Sequence, residues 1–327
     1  MDHPADSNPA DWGRRGLLTG VAAAGLVGAT PALAQFSGLP SLPGMPALPA
    51  GASKMVDLAG QAANVLASMQ ISEADEISMG TNYYERFIDQ SGGLYNSQNA
   101  QDALRRFAEP LIGTSKRPNF KFEIALIDNE TVNAWALPGG KLAVHKGLIR
   151  YVATPEELAA VISHELAHAE FSHGVAQIKN KKFVQGMGGI AKQQVVDLAA
   201  KKAGSVGAFA TQEVLTAFEG PVYDMITSGY SQDLEYTADG HIVPVFHTIG
   251  YDSAHASDFY NTLLRLVPPN TKATTSLYAT HPGTKDRIKR LQAVALKDKS
   301  PTAASSTHPG WAELKEDFPT RTHFRLT

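Results

Sequence analysis

The sequence predicts an α+β fold, mostly helical, with a small β-sheet set directly before one long helix. Three observations carry this. Apolar residues recur at helical spacing over most of the chain between Ser72 and Leu296. Between Phe120 and His145 the period shortens to that of strands. The stretch that follows, Val161 to His173, contains His164-Glu165-Leu166-Ala167-His168 inside a segment with helix-start signals.

Taken in order, a helix is expected from Lys54 to about Met69. Ser72 with Asp75 three residues on then caps a second helix, Glu73 to Asp89, which Gly92-Gly93 breaks. A third, Ala100 to Ile112, presents Leu104, Phe107 and Leu111 on one side. In Phe120 to Asp128, Phe122, Ile124 and Leu126 alternate with Lys121, Glu123 and Ala125, the pattern of a strand. Asn133 to His145 reads as strand, Pro138-Gly139-Gly140 turn and strand. Thr154 is then a good N-cap, Pro155 suits the first helical position, and Glu157 completes a capping box. Val175 to Tyr230 looks helical with an interruption at Gly186 to Gly189, either a covering element or a plain helical hairpin. Ser231 caps a helix bearing Glu235 and Asp239, with Pro244 expected to kink it and Gly250 to end it. Ser253 to Leu266 and Thr284 to Leu296 complete the helices, separated by Pro268-Pro269 and a Thr280-His281-Pro282-Gly283 loop. Residues 297–327 are polar and Ser/Thr/Pro-rich, which predicts a poorly ordered tail.

On a helix, His164 and His168 lie four residues apart with their rings one turn apart, the separation two ligands of one tetrahedral Zn²⁺ require. Glu165 is rotated about 100° from His164, beside a bound ion rather than on it, where it can take a proton from water. A catalytic zinc takes three protein ligands. His173 is rotated about 140° from His168 on a continuing helix, so it reads as a residue behind the ligands rather than one of them. Glu235 on a later helix completes a His₂Glu set, as in gluzincins, and gives the domain a zincin-like reading. Asp239, four residues on, could accept the spare ring N–H of a ligating histidine. His281 could stabilise an oxyanion or reach the ion and block it, and Arg287 could do the first or form a salt bridge. Trp135, Ala136, Leu137 and Gly139 lie where an extended substrate could pair with a sheet edge, although a core role suits Trp135 better.

Composition narrows the classes. The 327 residues have a net charge of −3 and no basic patch, which argues against nucleic acid. The absence of cysteine excludes disulfides, thiol nucleophiles and Cys-ligated zinc. At the N-terminus Arg14-Arg15 precede a weakly apolar run, and Ala32-Leu33-Ala34 offers a cleavage site. Residues 1–34 therefore read as an export signal of twin-arginine type, with Sec export the other route, to the periplasm. The alternative is an uncleaved segment that keeps the protein associated with the envelope membrane. Residues 35–52, rich in Pro and Gly, read as an extended linker, and 53–296 as one metallopeptidase domain.

Four blocks, NAWALPGGKLAVHKGLI, EELAAVISHELAHAEFSHG, YSQDLEYTADG and THPGTKDRI, resemble peptidase family M48, which includes HtpX, CAAX prenyl proteases and BepA-like proteases. The resemblance covers about Ser72 to Leu296. It implies a zinc endopeptidase with one Zn²⁺ per chain, held by His164, His168 and Glu235, with Glu165 as general base and Asp239 orienting a ligand. It also implies a His281 loop that approaches the metal as a gate in some relatives. The chain departs from the family pattern at Gln232 and Gly240, where arginine is usual. The expected activity is hydrolysis of unfolded or misfolded envelope proteins. The rival from another class is a non-catalytic, zinc-stabilised chaperone or adaptor for the same clients, against which the presence of Glu165 argues.

Overall fold

The computed structural model describes residues 71–179, 222–223, 227–266, 277, 281, 284–298 and 308–321, all within one compact unit, Met55–Thr327. The export signal, the linker, the helix expected at Lys54 to Met69 and most of the stretch from Val175 to Tyr230 lie outside the described residues. The described elements are α1 (Glu73–Ser91), α2 (Gln98–Ile112), β1 (Glu123–Ile127), β2 (Ala134–Leu137), β3 (Lys141–His145), α3 (Lys146–Tyr151) and α4 (Pro155–Glu170). They continue with α5 (His173–Lys179), α6 (Gln232–Ile249), a 3₁₀ turn (Ser253–His255), α7 (Asp258–Leu266), α8 (Thr284–Ala295) and α9 (Trp311–Asp317). None of the described helices is long and apolar enough to cross a membrane.

Local chemistry sets the ends of these elements. Ser72 and Asp75 form a reciprocal capping box on α1, and Gly92 closes it with a backbone φ of 123°. Thr154 caps α4 by accepting from the Glu157 amide. The Glu157 carboxylate turns one residue further back than a capping box requires and accepts from Ala153. Ser231 stands at the N-cap of α6 but makes no side-chain cap bond, and α6 runs on through Pro244 to Gly250.

The sheet has the order β1-β3-β2, with β1 parallel and β2 antiparallel to β3. The alternation expected in β1 is absent, since Ile124 to Ile127 are all buried. The sheet is covered on both faces, so both side-chain sets are apolar. Ile124, Leu126, Ala134, Ala136, Leu142 and Val144 join the main core with α2 and α4. On the opposite face Trp135 packs edge-on against Tyr84 and Phe87 of α1. The Pro138-Gly139-Gly140 turn forms as expected, with Gly139 at φ 77°. Its Cα is pressed on α1: a Cβ there would meet the Glu76 carbonyl oxygen at 2.5 Å and the Ile77 Cα at 2.8 Å.

Two further differences have plain causes. The helix expected over Ser253 to Leu266 splits into a 3₁₀ turn and α7, because Asp252 caps the amide of Ala254 locally. The tail expected to be poorly ordered instead forms α9, with Leu314 and Phe318 wholly buried against α2 and α3. Trp311, Leu314 and Phe318 are spaced three and four residues apart, a short apolar stripe that the surrounding polar composition hides.

Candidate metal centre

Helix α4 is buried almost all round, from Glu157 to Glu170. Its Leu158, Val161, Ile162 and Leu166 anchor it in the core, which leaves His164, Glu165 and His168 fixed on a rigid rod rather than on a loop. Helix α6 lies along it and buries Glu235, Ala238, Asp239, Ile242 and Phe246, the three-and-four spacing of one helix face. The same apolar stripe that docks α6 therefore delivers its two acids to the histidines.

Nε2 of His164 and Nε2 of His168 are 3.0 Å apart, and the Glu235 carboxylate lies 3.5 Å from each. Nδ1 of His281 is 2.8 Å from Glu235 and 3.3 Å from Nε2 of His164. Ligand atoms of all four residues fall within 4.8 Å of one another, and all four residues are buried. Ligands about 2.1 Å from a tetrahedral ion sit roughly 3.4 Å apart, so this donor set fits a divalent metal. The outward nitrogens support the same assignment. Nδ1 of His164 is 3.1 Å from Asp239, which fixes the proton on that side and turns the Nε2 lone pair inward. Nδ1 of His168 meets Nδ1 of His173 at 2.9 Å.

Glu165 is buried beside the cluster, and its Oε1 has no hydrogen-bond partner among the described residues. The nearest cation-forming group is Nε2 of His281 at 3.7 Å. Burial pushes the Glu165 carboxyl up, against the pull of His281 and His164. Burial would raise Glu235 as well, but the charges and hydrogen bonds of His281 and His164 hold it well below the usual range. Burial alone would lower His164. The Asp239 and Glu235 carboxylates outweigh it and raise this ring to about 9 in the absence of a metal.

Arg287 does not face the cluster as a group free to meet substrate. Its Nε and one terminal nitrogen grip both oxygens of Asp239 at 2.7 Å. The other terminal nitrogen is 2.7 Å from Glu235 and donates to the His281 carbonyl. A remaining N–H goes to the Tyr260 hydroxyl. Every donor is spent, so of the two roles open to Arg287 the geometry supports the salt bridge and leaves no N–H for an oxyanion. Of the sheet-edge residues, Trp135 and Gly139 are committed to packing against α1. The main chain of Ala134 and Ala136 points away from β3, at an edge of β2 that no other described strand covers. There the amide of Leu277 already takes the Val132 carbonyl, and the His281 amide in turn bonds to Leu277.

Two residues escaped the sequence reading. Tyr230 stacks flat on the His168 ring, 3.8 Å between centroids and 13° between planes. Tyr260 donates to Asp239 at 2.6 Å. Tyr230 belongs to a quoted block but carries no metal-ligand signal, and Tyr260 lies in an ordinary amphipathic helix.

The model of peptidase family M48 matches residues 98–295. The beta-barrel assembly-enhancing protease of Escherichia coli (strain K12) is 26% identical over 204 residues, 61% of this chain and 39% of that protein. Its namesake from Yersinia pestis is 25% identical over 256 residues, 76% of this chain and 50% of that protein. The mitochondrial metalloendopeptidase OMA1 of Schizosaccharomyces pombe is 35% identical over 75 residues, 23% of this chain and 22% of that protein. The matches thus span half or less of each relative's length.

Proposed function

Since the chain belongs to peptidase family M48, we propose that it is a zinc-dependent metalloendopeptidase acting on unfolded or misfolded cell-envelope proteins after export to the periplasm. The observation that carries this is the convergence of His164, His168 and Glu235 with Glu165 buried at their side. His164, His168 and Glu235 would hold the ion. A bound Zn²⁺ supplies a Lewis acid there, which acidifies water and polarises a scissile carbonyl. Glu165 takes the proton from the attacking water and passes it to the departing amine, a task its raised pKa suits. Asp239 orients His164, His173 backs His168, and Arg287 ties Asp239 to Glu235. An extended substrate pairs with the free edge of β2 through Ala134 and Ala136, so that recognition is mostly main-chain and tolerant of sequence. His281, whose Nδ1 is 2.8 Å from Glu235, would be a fourth ligand to a bound ion, and its withdrawal would admit water and substrate, the gating implied by the family resemblance.

That fourth contact also supports the second reading, a zinc-stabilised chaperone or adaptor, because structural zinc sites have four protein ligands. Glu165 weighs against it, since a closed structural site has no use for a buried, unpartnered carboxylate oxygen. The two separate by experiment. The purified chain should cut unfolded casein, lose the activity to a chelator and regain it with Zn²⁺. Glu165→Gln should keep the metal at one ion per chain and lose at least about a hundredfold in rate. Casein left intact by the metal-loaded wild type, or cut by Glu165→Gln at the same rate, would reject the protease.

A further inference from the structure

The other edge of the sheet, remote in the strand order from β2, opens into a groove of about 730 Å³. Strand β1 forms its floor, and α1 and α2 its walls. The edge is closed at one end only. There the Gln101 side chain acts as a substitute peptide group, accepting from the Leu126 amide and donating to the Leu126 carbonyl. The Tyr95 amide bonds to the same carbonyl, and Leu94 bridges to Ile127. Main-chain groups two residues apart in a strand point the same way. Ile124 therefore turns its N–H and C=O into the groove, and no partner takes them among the described residues.

Side chains give the groove its chemistry. Ile88, Ile112, Phe122 and Leu94 supply apolar surface, and Leu94 is 56% exposed. Most charges at the rim are already matched. Asp102 pairs with Arg105, Arg106 with Glu313, and Glu123 with Lys141. Two carboxylates remain: Glu85 on the α1 wall and Glu109 on the α2 wall, both exposed and without a partner among the described residues.

We propose that this groove docks an extended segment of a partner polypeptide that carries basic side chains among apolar ones on both of its faces. The segment adds to β1 through Ile124, so its side chains point alternately towards α1 and α2; apolar ones pack on Ile88 and Ile112, and lysine or arginine meets Glu85 on one side and Glu109 on the other. The proposal stands on the β1 edge alone and does not depend on the proposed activity.

The test uses the full chain carrying Glu165→Gln, so that no probe is cut, and dye-labelled octapeptides in which pairs of Val alternate with pairs of Lys or of Glu, so that both faces carry charge, read by fluorescence anisotropy. The Val–Lys probe should bind saturably and at least about tenfold more tightly than the Val–Glu probe. Glu85→Lys with Glu109→Lys should reverse that preference, while Asp233→Lys, an exposed charge on α6, should leave it unchanged. N-methylation of alternate residues, which removes donors a strand needs, should abolish binding. Equal binding of the two probes, no binding, or indifference to the double reversal or to N-methylation would overturn the proposal. So would a dimer that dissociates on the double reversal without binding peptide, which would assign the groove to a second copy.

Discussion

The two nitrogens of His164 have separate tasks. Nδ1 donates to Asp239, and Nε2 looks inward, where proton and metal compete for one lone pair. With the ring raised to about 9 by Asp239 and Glu235, against burial, the metal-free site holds that proton throughout the neutral range. The proton is bound below about pH 9 and lost as pH rises through it, so uptake of Zn²⁺ at pH 7 must expel about one proton. Apparent affinity should climb roughly tenfold per pH unit from 6 to 8, and calorimetry in two buffers of different ionisation enthalpy should count the released proton. Asp239→Asn should weaken zinc binding about 10- to 100-fold and flatten the climb in this range, because the ring then loses its proton earlier. An affinity independent of pH in the wild type would contradict the arrangement. The pairing of His164 with His168, and of Glu235 with Asp239, was legible in the sequence, because residues four apart on a helix share one side. Tyr230 was not legible: an aromatic ring stacked on an imidazole leaves no periodic trace.

At the scale of elements, the β2–β3 turn shows why a motif can be read correctly and explained wrongly. Pro138-Gly139-Gly140 predicts a turn, and the turn is there. Gly139 suggested a place for substrate, yet its bare Cα serves contact with the α1 backbone at Glu76 and Ile77. Gly139→Ala combines a left-handed φ with an overlap against main chain that cannot move aside. It should cost about 2–4 kcal/mol and lower the melting temperature by about 5–10 °C, with the metal stoichiometry unchanged. A melting curve superimposable on the wild type would show that α1 yields at that point. The buried period of β1 was also hidden. Alternation marks a strand only when one of its faces meets water, and here helices cover both.

For the molecule as a whole, the C-terminal residues change the outline of the fold. Composition predicts a poorly ordered tail over 297–327, whereas Leu314 and Phe318 are wholly buried and Lys315 donates to the carbonyls of Ile149 and Val152 at 2.9 Å. A chain ending at residue 307 should therefore lose about 4 kcal/mol or more and melt at least about 10 °C lower, or fail to accumulate in soluble form. Normal melting of the shortened chain would return the segment to the status of a tail. Three apolar residues in a polar stretch are too few to register in composition, and only the surface they complete makes them visible. The guanidinium of Arg287, sealed against two carboxylates, has one more consequence. Once His164 has given up its proton, Glu165, Glu235 and Asp239 against Arg287 leave two uncompensated negative charges at the site, which a dication cancels and a monovalent ion only halves. Discrimination against sodium and potassium is thus built into the tally of enclosed charge, before bond lengths or coordination angles have any say.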